Sequence, residues 1–230
     1  MKKIIIGLFL LSLNLLADFS VMSEKKQSVM IELFSSQGCS SCPPAEKWLN
    51  GFTTNPELWK KYIPLSFHVT YWDNLGWKDP FAQTAFTQRQ KKYKNQGHTG
   101  GVYTPGFLVN AREWRGNENS SIALKETNVL SLTVKEELVK VKYYAKGDYR
   151  VHVALLGFGL ETEVLKGENR GELLKHDFVV LKMNASVMQN SKAELALLHS
   201  SVQAQRYALV AWVTPLDSMQ VLQSVGSWLD

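Results

Sequence analysis

Hydrophobic positions along the chain fall in short runs, most of them at strand spacing. The first after the N-terminal segment is Ser28-Val29-Met30-Ile31-Glu32-Leu33-Phe34, a β-type run that ends at the turn Ser35-Ser36-Gln37-Gly38. Beyond Pro43-Pro44 the spacing changes. Ala45, Trp48 and Leu49 recur as on one face of a helix that Gly51 can end. Leu65, Phe67 and Val69 alternate again and predict a strand over 63–69. An aromatic-rich loop, TYWDNLGWKDP, leads to Asp79-Pro80. Aspartate followed by proline is a helix start, so a helix is predicted from Pro80 to about Lys94, with Gly97 beyond its end. The glycine-rich GHTGGVYTPGFLVN then enters a strand from Phe107 to Val109, and REWRGN predicts a hairpin turn.

From about Leu130 the pattern is almost wholly of period two. Val139, Val141 and Tyr143 alternate with Lys140, Lys142 and Tyr144, and Tyr149, Val151, Val153 and Leu155 continue after the turn Ala145-Lys146-Gly147-Asp148. Further strands are predicted at 178–182, 195–198, 207–213 and 219–222. Short strands separated by turn signals predict an antiparallel, sandwich-like unit. The chain therefore divides into residues 27–116, mixed α/β, a junction at 117–129, and a β-rich region at 130–230.

The N-terminus follows neither pattern. Lys2 and Lys3 precede an apolar run from Ile4 to Leu16, closed by the small residue Ala17. That run is shorter than the roughly 20 residues of a membrane-spanning helix, and it reads as a signal peptide over 1–17. No later run approaches spanning length, so a soluble exported protein, periplasmic or secreted, is expected. The formal charge of +5 includes the two leader lysines, and the remaining lysines are scattered. Nucleic acid and anionic membranes are therefore not expected partners.

Export changes the meaning of the cysteines, of which there are only two, Cys39 and Cys42. Exported disulfides normally tie distant segments together, whereas this pair closes a very small loop and removes little unfolded-state entropy. A stabilising staple is thus a poor explanation. A strand, tight turn, CxxC and helix place the first thiol near free helix N–H groups, which favour thiolate over thiol. Cys39 is then the nucleophile, and Cys42 resolves the mixed disulfide. The prolines complicate this, because the residue before a proline is biased away from helical angles. The regular helix is then expected to begin at Pro43 or Pro44, with Cys39-Ser40-Ser41-Cys42 as a separate turn. Glu32 has two readings. It points inward, where burial raises its pKa and lets it shuttle the proton of the resolving thiol, or it points outward into water.

The strand, CxxC, helix and later Thr-Pro dipeptide make the first half resemble a thioredoxin-fold protein. More specifically, IELFSSQGCSSCPPAE, FHVTYWDNLGWKDPF, FTQRQ and VYTPGFLVN resemble a bacterial family of secreted thioredoxin-like proteins catalogued as a domain of unknown function. GENRGELLKHDFVV suggests that the likeness continues into the second half. The resemblance implies a thioredoxin-like domain followed by the β-rich region, and a redox motif without a settled activity. It also implies that Pro105, matching the proline that faces the CxxC in thioredoxin-like proteins, is cis and, with Thr104, presents backbone to a substrate. Two departures stand out: the acidic Glu32 is displaced by one position, and the segment between Cys42 and Pro105 is longer. That insertion carries Tyr71, Trp72 and Trp77, which either wall a substrate groove or belong to the core.

The expected function is an exported thiol–disulfide oxidoreductase acting on protein or small-molecule thiols and disulfides, with a membrane redox protein as a candidate partner. No cofactor is implied. Two alternatives compete with it. The two cysteines with His68 or His98 have the donor types of a copper(I) or zinc carrier. A redox-inactive binding module, its CxxC kept closed, fits the β-rich half equally well. His152, His176 and His199 read as packed, hydrogen-bonded histidines rather than site residues.

Overall fold

Residues 18–116 and 124–229 are described by this computed structural model. The expected signal peptide and residues 117–123 of the expected junction lie outside the described residues. The first half runs through strand β1 (Phe19–Met22), β2 (Val29–Ser35), helix α1 (Cys42–Asn50), β3 (Tyr62–His68), helix α2 (Thr84–Asn95), β4 (Gly106–Val109) and β5 (Arg112–Trp114). The second half is all strand: β6 (Leu130–Lys135), β7 (Leu138–Tyr143), β8 (Tyr149–Phe158), β9 (Leu160–Glu163), β10 (Leu173–His176), β11 (Val179–Val187), β12 (Lys192–Ala196), β13 (Arg206–Pro215) and β14 (Gln223–Trp228). The protein is thus mixed α/β with β dominant.

The two halves do not form separate layers. One eight-stranded sheet runs in the order β14-β13-β8-β11-β3-β2-β4-β5, taking four strands from each half. The seam is between β3 and β11, which pair in parallel at Val179 and Ser66, where the Ser66 amide donates to the Phe178 carbonyl at 2.8 Å. β2 pairs in parallel with β3 and antiparallel with β4, so it lies inside the sheet and is buried at all seven positions. A strand covered on both faces needs apolar residues at consecutive positions, which is why Val29 to Phe34 does not alternate.

The sandwich expected for the second half is present, built from both sheets. A four-stranded sheet, β1-β6-β7-β12, lies over β8, β13 and β14 of the large sheet. Leu130, Leu132, Val139 and Val141 meet Val151, Val153, Leu209 and Val213 in that core. Ala154, Leu156, Val210 and Trp212, on the opposite face of β8 and β13, join the core of the first half.

Several boundaries differ from those the sequence predicts. Helix α2 begins at Thr84 rather than Pro80: Asp79 does accept from the Phe81 amide at 2.9 Å, but Pro80 and Phe81 form only a single turn ahead of the helix. The hairpin turn lies at Asn110-Ala111, with φ of 46° and 64°, rather than within REWRGN. Residues 219–222 form no strand; Met219 and Val221 are buried in a loop, and the last strand is β14. β9 and β10 are not among the strands the sequence predicts. They form a two-stranded ribbon, and β10 meets α1.

Candidate functional site

After β2 the chain makes two tight turns. The Cys39 amide donates to the Ser36 carbonyl and the Cys42 amide to the Cys39 carbonyl, each at 3.1 Å. Helix α1 starts at Cys42 itself, with Ser41 at its N-cap and Pro43 and Pro44 in its first turn. Prolines are tolerated there because first-turn N–H groups have no intrahelical acceptor. The CxxC therefore straddles the helix start: Cys42 is inside, Cys39 outside. The two are joined by a disulfide with Cα atoms 5.4 Å apart. Both are buried, Cys39 at 1% and Cys42 at 0% exposure. Ser41 Oγ lies 3.3 Å from Cys39 Sγ. Gly38 is required by close approach, since a Cβ there would come within 3.0 Å of Trp72 Cβ.

The Thr104–Pro105 peptide is cis. Gly106, which follows it, pairs with Phe34 of β2, so the Thr-Pro loop stands at the sheet end that carries the CxxC. Trp72 Nε1 donates to Thr104 Oγ1 at 2.7 Å, and its Cβ faces Gly38. Trp72 therefore links the CxxC turn to the Thr-Pro loop. Tyr71 donates to Gln90 Oε1 at 3.3 Å, and Gln90 Nε2 donates to the Tyr103 carbonyl at 2.6 Å. Burial pushes the Tyr71 hydroxyl up to about 12, against the opposing bonds of Thr104 and Gln90. Both aromatics brace the loop from half-buried positions. A hollow of about 440 Å³ opens beside Pro105, lined by Tyr103, Phe107, Trp114 and Arg115.

Beneath the disulfide lies a cluster that sequence reasoning missed. Glu46 stands one helical turn after Cys42, on the inner face of α1. Its carboxylate accepts from the Ser35 hydroxyl and from His176 Nδ1. His68, at the end of β3, donates through Nδ1 to Asp79 Oδ2 at 2.7 Å. Its other nitrogen, Nε2, is buried without a hydrogen-bond partner and lies 4.0 Å from Glu46 Oε1. Burial opposes charge on His68, but the Asp79 and Glu46 carboxylates outweigh it and raise its pKa to about 9. Burial likewise opposes charge on Glu46 and Asp79; the His176 contact and His68 bring Glu46 below the usual carboxylate range, and His68 does the same for Asp79.

The orientation of His176, which β10 brings in from the second half, is set by Trp77 and Gln37 of the first. Trp77 Nε1 can only donate, and it donates to Gln37 Oε1 at 3.0 Å. The Gln37 amide nitrogen is thereby turned to Thr162 and to His176 Nε2, each at 3.0 Å. His176 Nε2 thus accepts, which places the ring proton on Nδ1, facing Glu46. The loop between β9 and β10 also holds the CxxC turn: Asn169 Nδ2 donates to the Gln37 and Cys39 carbonyls at 2.8 and 3.0 Å, and Glu168 accepts from the Ser40 amide at 3.0 Å. The segment GENRGELLKH forms this loop and strand β10. Its function in the fold is to cover and orient the dithiol turn.

Glu32 does point inward, but to the other face of the sheet. Adjacent strand residues face opposite sides, so Glu32 meets α2 where Ser35 meets α1. Its carboxylate accepts from Arg89 Nε at 2.8 Å and Nη2 at 2.7 Å, and from the Tyr93 hydroxyl. Arg89 is itself stacked over Phe67, Tyr93 and Trp212. Glu32 is a structural ion pair in the core of the first half.

Ligand atoms of Glu46, His68 and His176 lie within 4.8 Å of one another, with the donor types of a zinc site. The hydrogen bonds fit a cation poorly, because the Trp77–Gln37 contact leaves a proton rather than a lone pair on His176 Nδ1. His98 is not in this cluster; its ring packs edge-on against Tyr93. His176, read from sequence as packing, belongs to it.

Known proteins match the chain as follows. The sequence pattern of a family described as a protein of unknown function (DUF1223) matches residues 30–214. No curated protein matches. A structural-genomics crystal structure of a protein from Agrobacterium tumefaciens is similar at 23% identity with a TM-score of 0.65, covering 90% of this chain and 94% of that one. HBP35 of Porphyromonas gingivalis is similar at 14% identity with a TM-score of 0.56, covering 90% of this chain and 77% of that one. Likeness at these identities shows the fold alone.

Proposed function

The chain belongs to the DUF1223 family, of unknown function, and we propose that within it this protein is an exported thiol–disulfide oxidoreductase with a thioredoxin-like first half. The observation that carries the proposal is the Cys39–Cys42 disulfide at the start of α1, at the same sheet end as the cis Thr104–Pro105 peptide. Cys39, outside the helix, is the nucleophile, and Cys42 is the resolving cysteine. Thr104 and Pro105 present the backbone on which a substrate lies, braced by Tyr71 and Trp72. The N-terminal signal pattern supports a periplasmic or secreted location, where protein or small-molecule thiols and a membrane redox partner are the candidate reactants.

The exchange balances without a cofactor. A substrate thiolate attacks Cys39 Sγ, the Cys39–Cys42 bond breaks, and Cys42 leaves as a thiolate. A second substrate thiolate attacks the substrate sulfur of the mixed disulfide and releases Cys39. Two electrons pass from substrate to protein, and the substrate leaves as a disulfide. Run backwards, the same steps reduce a substrate.

The slight exposure of Cys39 favours a second reading, a binding module whose disulfide stays closed. A glutathione-buffered titration of the purified protein, combined with capture by a Cys42→Ala variant, separates the two. Reversible exchange and trapped mixed disulfides support the oxidoreductase. No exchange at any poise, with no trapped partner, supports the module.

A further inference from the structure

We propose that Glu46 and His68 form a proton relay for the Cys42 thiol, with Asp79 and His176 as its positioning residues. The proposal rests on the dithiol chemistry above and adds the residues that carry its proton.

Breaking the disulfide at Cys39 leaves a thiolate on Cys42, which is wholly buried at the first position of α1. A thiolate there has no water to take a proton from, so the protein must supply a partner. Glu46 is the titratable side chain one turn along the same helix face, which places Cβ atoms about 5–6 Å apart. The groups that face Glu46 are Ser35 from β2, His68 from β3 and His176 from β10. Those that face His68 are Asp79, Glu46 and the rings of Phe81 and His176. Within this cluster the histidine nitrogen without a hydrogen-bond partner is Nε2 of His68. Every other polar atom of the cluster's two histidines has a hydrogen-bonded partner, whereas this one is buried and aimed at Glu46 across 4.0 Å. Asp79 holds Nδ1–H in place, so the nitrogen that gains or loses a proton is Nε2.

The step is as follows. When Cys42 leaves, a proton passes from His68 Nε2 through the Glu46 carboxyl to Cys42 Sγ, leaving neutral His68. When the dithiol is re-oxidised, Glu46 takes the Cys42 proton and returns it to His68, and the Cys42 thiolate attacks the mixed disulfide. No atom or electron is lost, and the relay needs no metal.

The two relay members act on Cys42 with opposite sign. Glu46 is a negative neighbour, so Glu46→Gln lowers the pH at which Cys42 ionises. His68 is a positive one, so His68→Gln raises it. The test uses the chemically reduced full chain with ¹³Cβ-labelled cysteine and ¹⁵N-labelled histidine, followed by NMR across pH. In the natural sequence the Cys42 step is expected to move the His68 nitrogens in concert, and each variant to shift the Cys42 midpoint by about one pH unit, tenfold in proton affinity, in its own direction. Cys39, outside the helix, is the internal reference and moves less. Shifts of the same sign, or none, overturn the relay. If either variant fails to fold, the natural sequence decides: a Cys42 step that leaves the His68 nitrogens unmoved overturns it. A protein that shows this coupling yet exchanges with no thiol keeps the relay and loses the oxidoreductase.

Discussion

His68 and Asp79 form a fully buried pair, Nδ1 to Oδ2 at 2.7 Å, on the floor beneath the Cys39–Cys42 disulfide. Residues eleven apart are brought together because the loop after β3 folds back over the strand end. The same Asp79 oxygen accepts from the Gln37 amide at 2.8 Å, and so ties the histidine to the turn that carries the cysteines.

That pair is expected to set the alkaline limit of stability. His68 is raised from its ordinary value to about 9 in the folded protein. Its stabilisation is therefore complete below about pH 6.5 and is lost as pH rises through about 9. Glu46 and Asp79 are held below their ordinary range, so their stabilisation is present above that range and lost as pH falls below it. Melting temperature followed against pH is expected to be highest in the mildly acidic range and to fall on both sides. Asp79→Asn is expected to flatten the alkaline limb; a limb unchanged in that variant would show that another group causes it.

Glu32 and Arg89 are expected to behave as structural partners. Removing one member of a buried pair leaves the other charged and unpaired, at a cost of roughly 3–5 kcal/mol. Arg89→Met should lower the urea midpoint accordingly. Should Glu32 instead serve the thiols, Glu32→Gln would move the Cys42 midpoint more than it moves stability.

Asn169→Ala removes both hydrogen bonds to the Gln37 and Cys39 carbonyls. About 1–3 kcal/mol of local stability is expected to go with them. The loop then loosens over Cys39, and reduction of the disulfide by a small thiol should quicken several-fold at unchanged pH. A rate equal to that of the natural sequence would mean that this loop does not control access.

Gly226 sits where β14 passes Trp59, and a Cβ there would come within 2.6 Å of the indole. The ring is held between Phe158, Phe178 and Trp228, so it has little room to yield. Gly226→Ala is expected to destabilise by about 1–3 kcal/mol, read from denaturant unfolding, without changing the reactivity of the dithiol.

Much of this protein was decided locally. The runs at Val29–Phe34 and Val151–Leu155 depend on neighbours in sequence and formed the strands their pattern predicts, while the prolines marked the start of α1 to within two residues, since the helix begins at Cys42 rather than at Pro43 or Pro44. The resemblance to a family of unknown function was also legible, in motifs spread from IELFSSQGCSSCPPAE to GENRGELLKH, and residues 30–214 match such a family. What tertiary structure alone decided is which of these elements meet. Hydrophobic pattern says that a strand is buried but not beside which strand, so the joining of the halves through β3 and β11 had no local signal. A glutamate, two histidines and an aspartate, apart in sequence, look like surface or packing residues one at a time. Only the folded chain, by removing water from Glu46, His68, Asp79 and His176 together, makes them one charged cluster under Cys42.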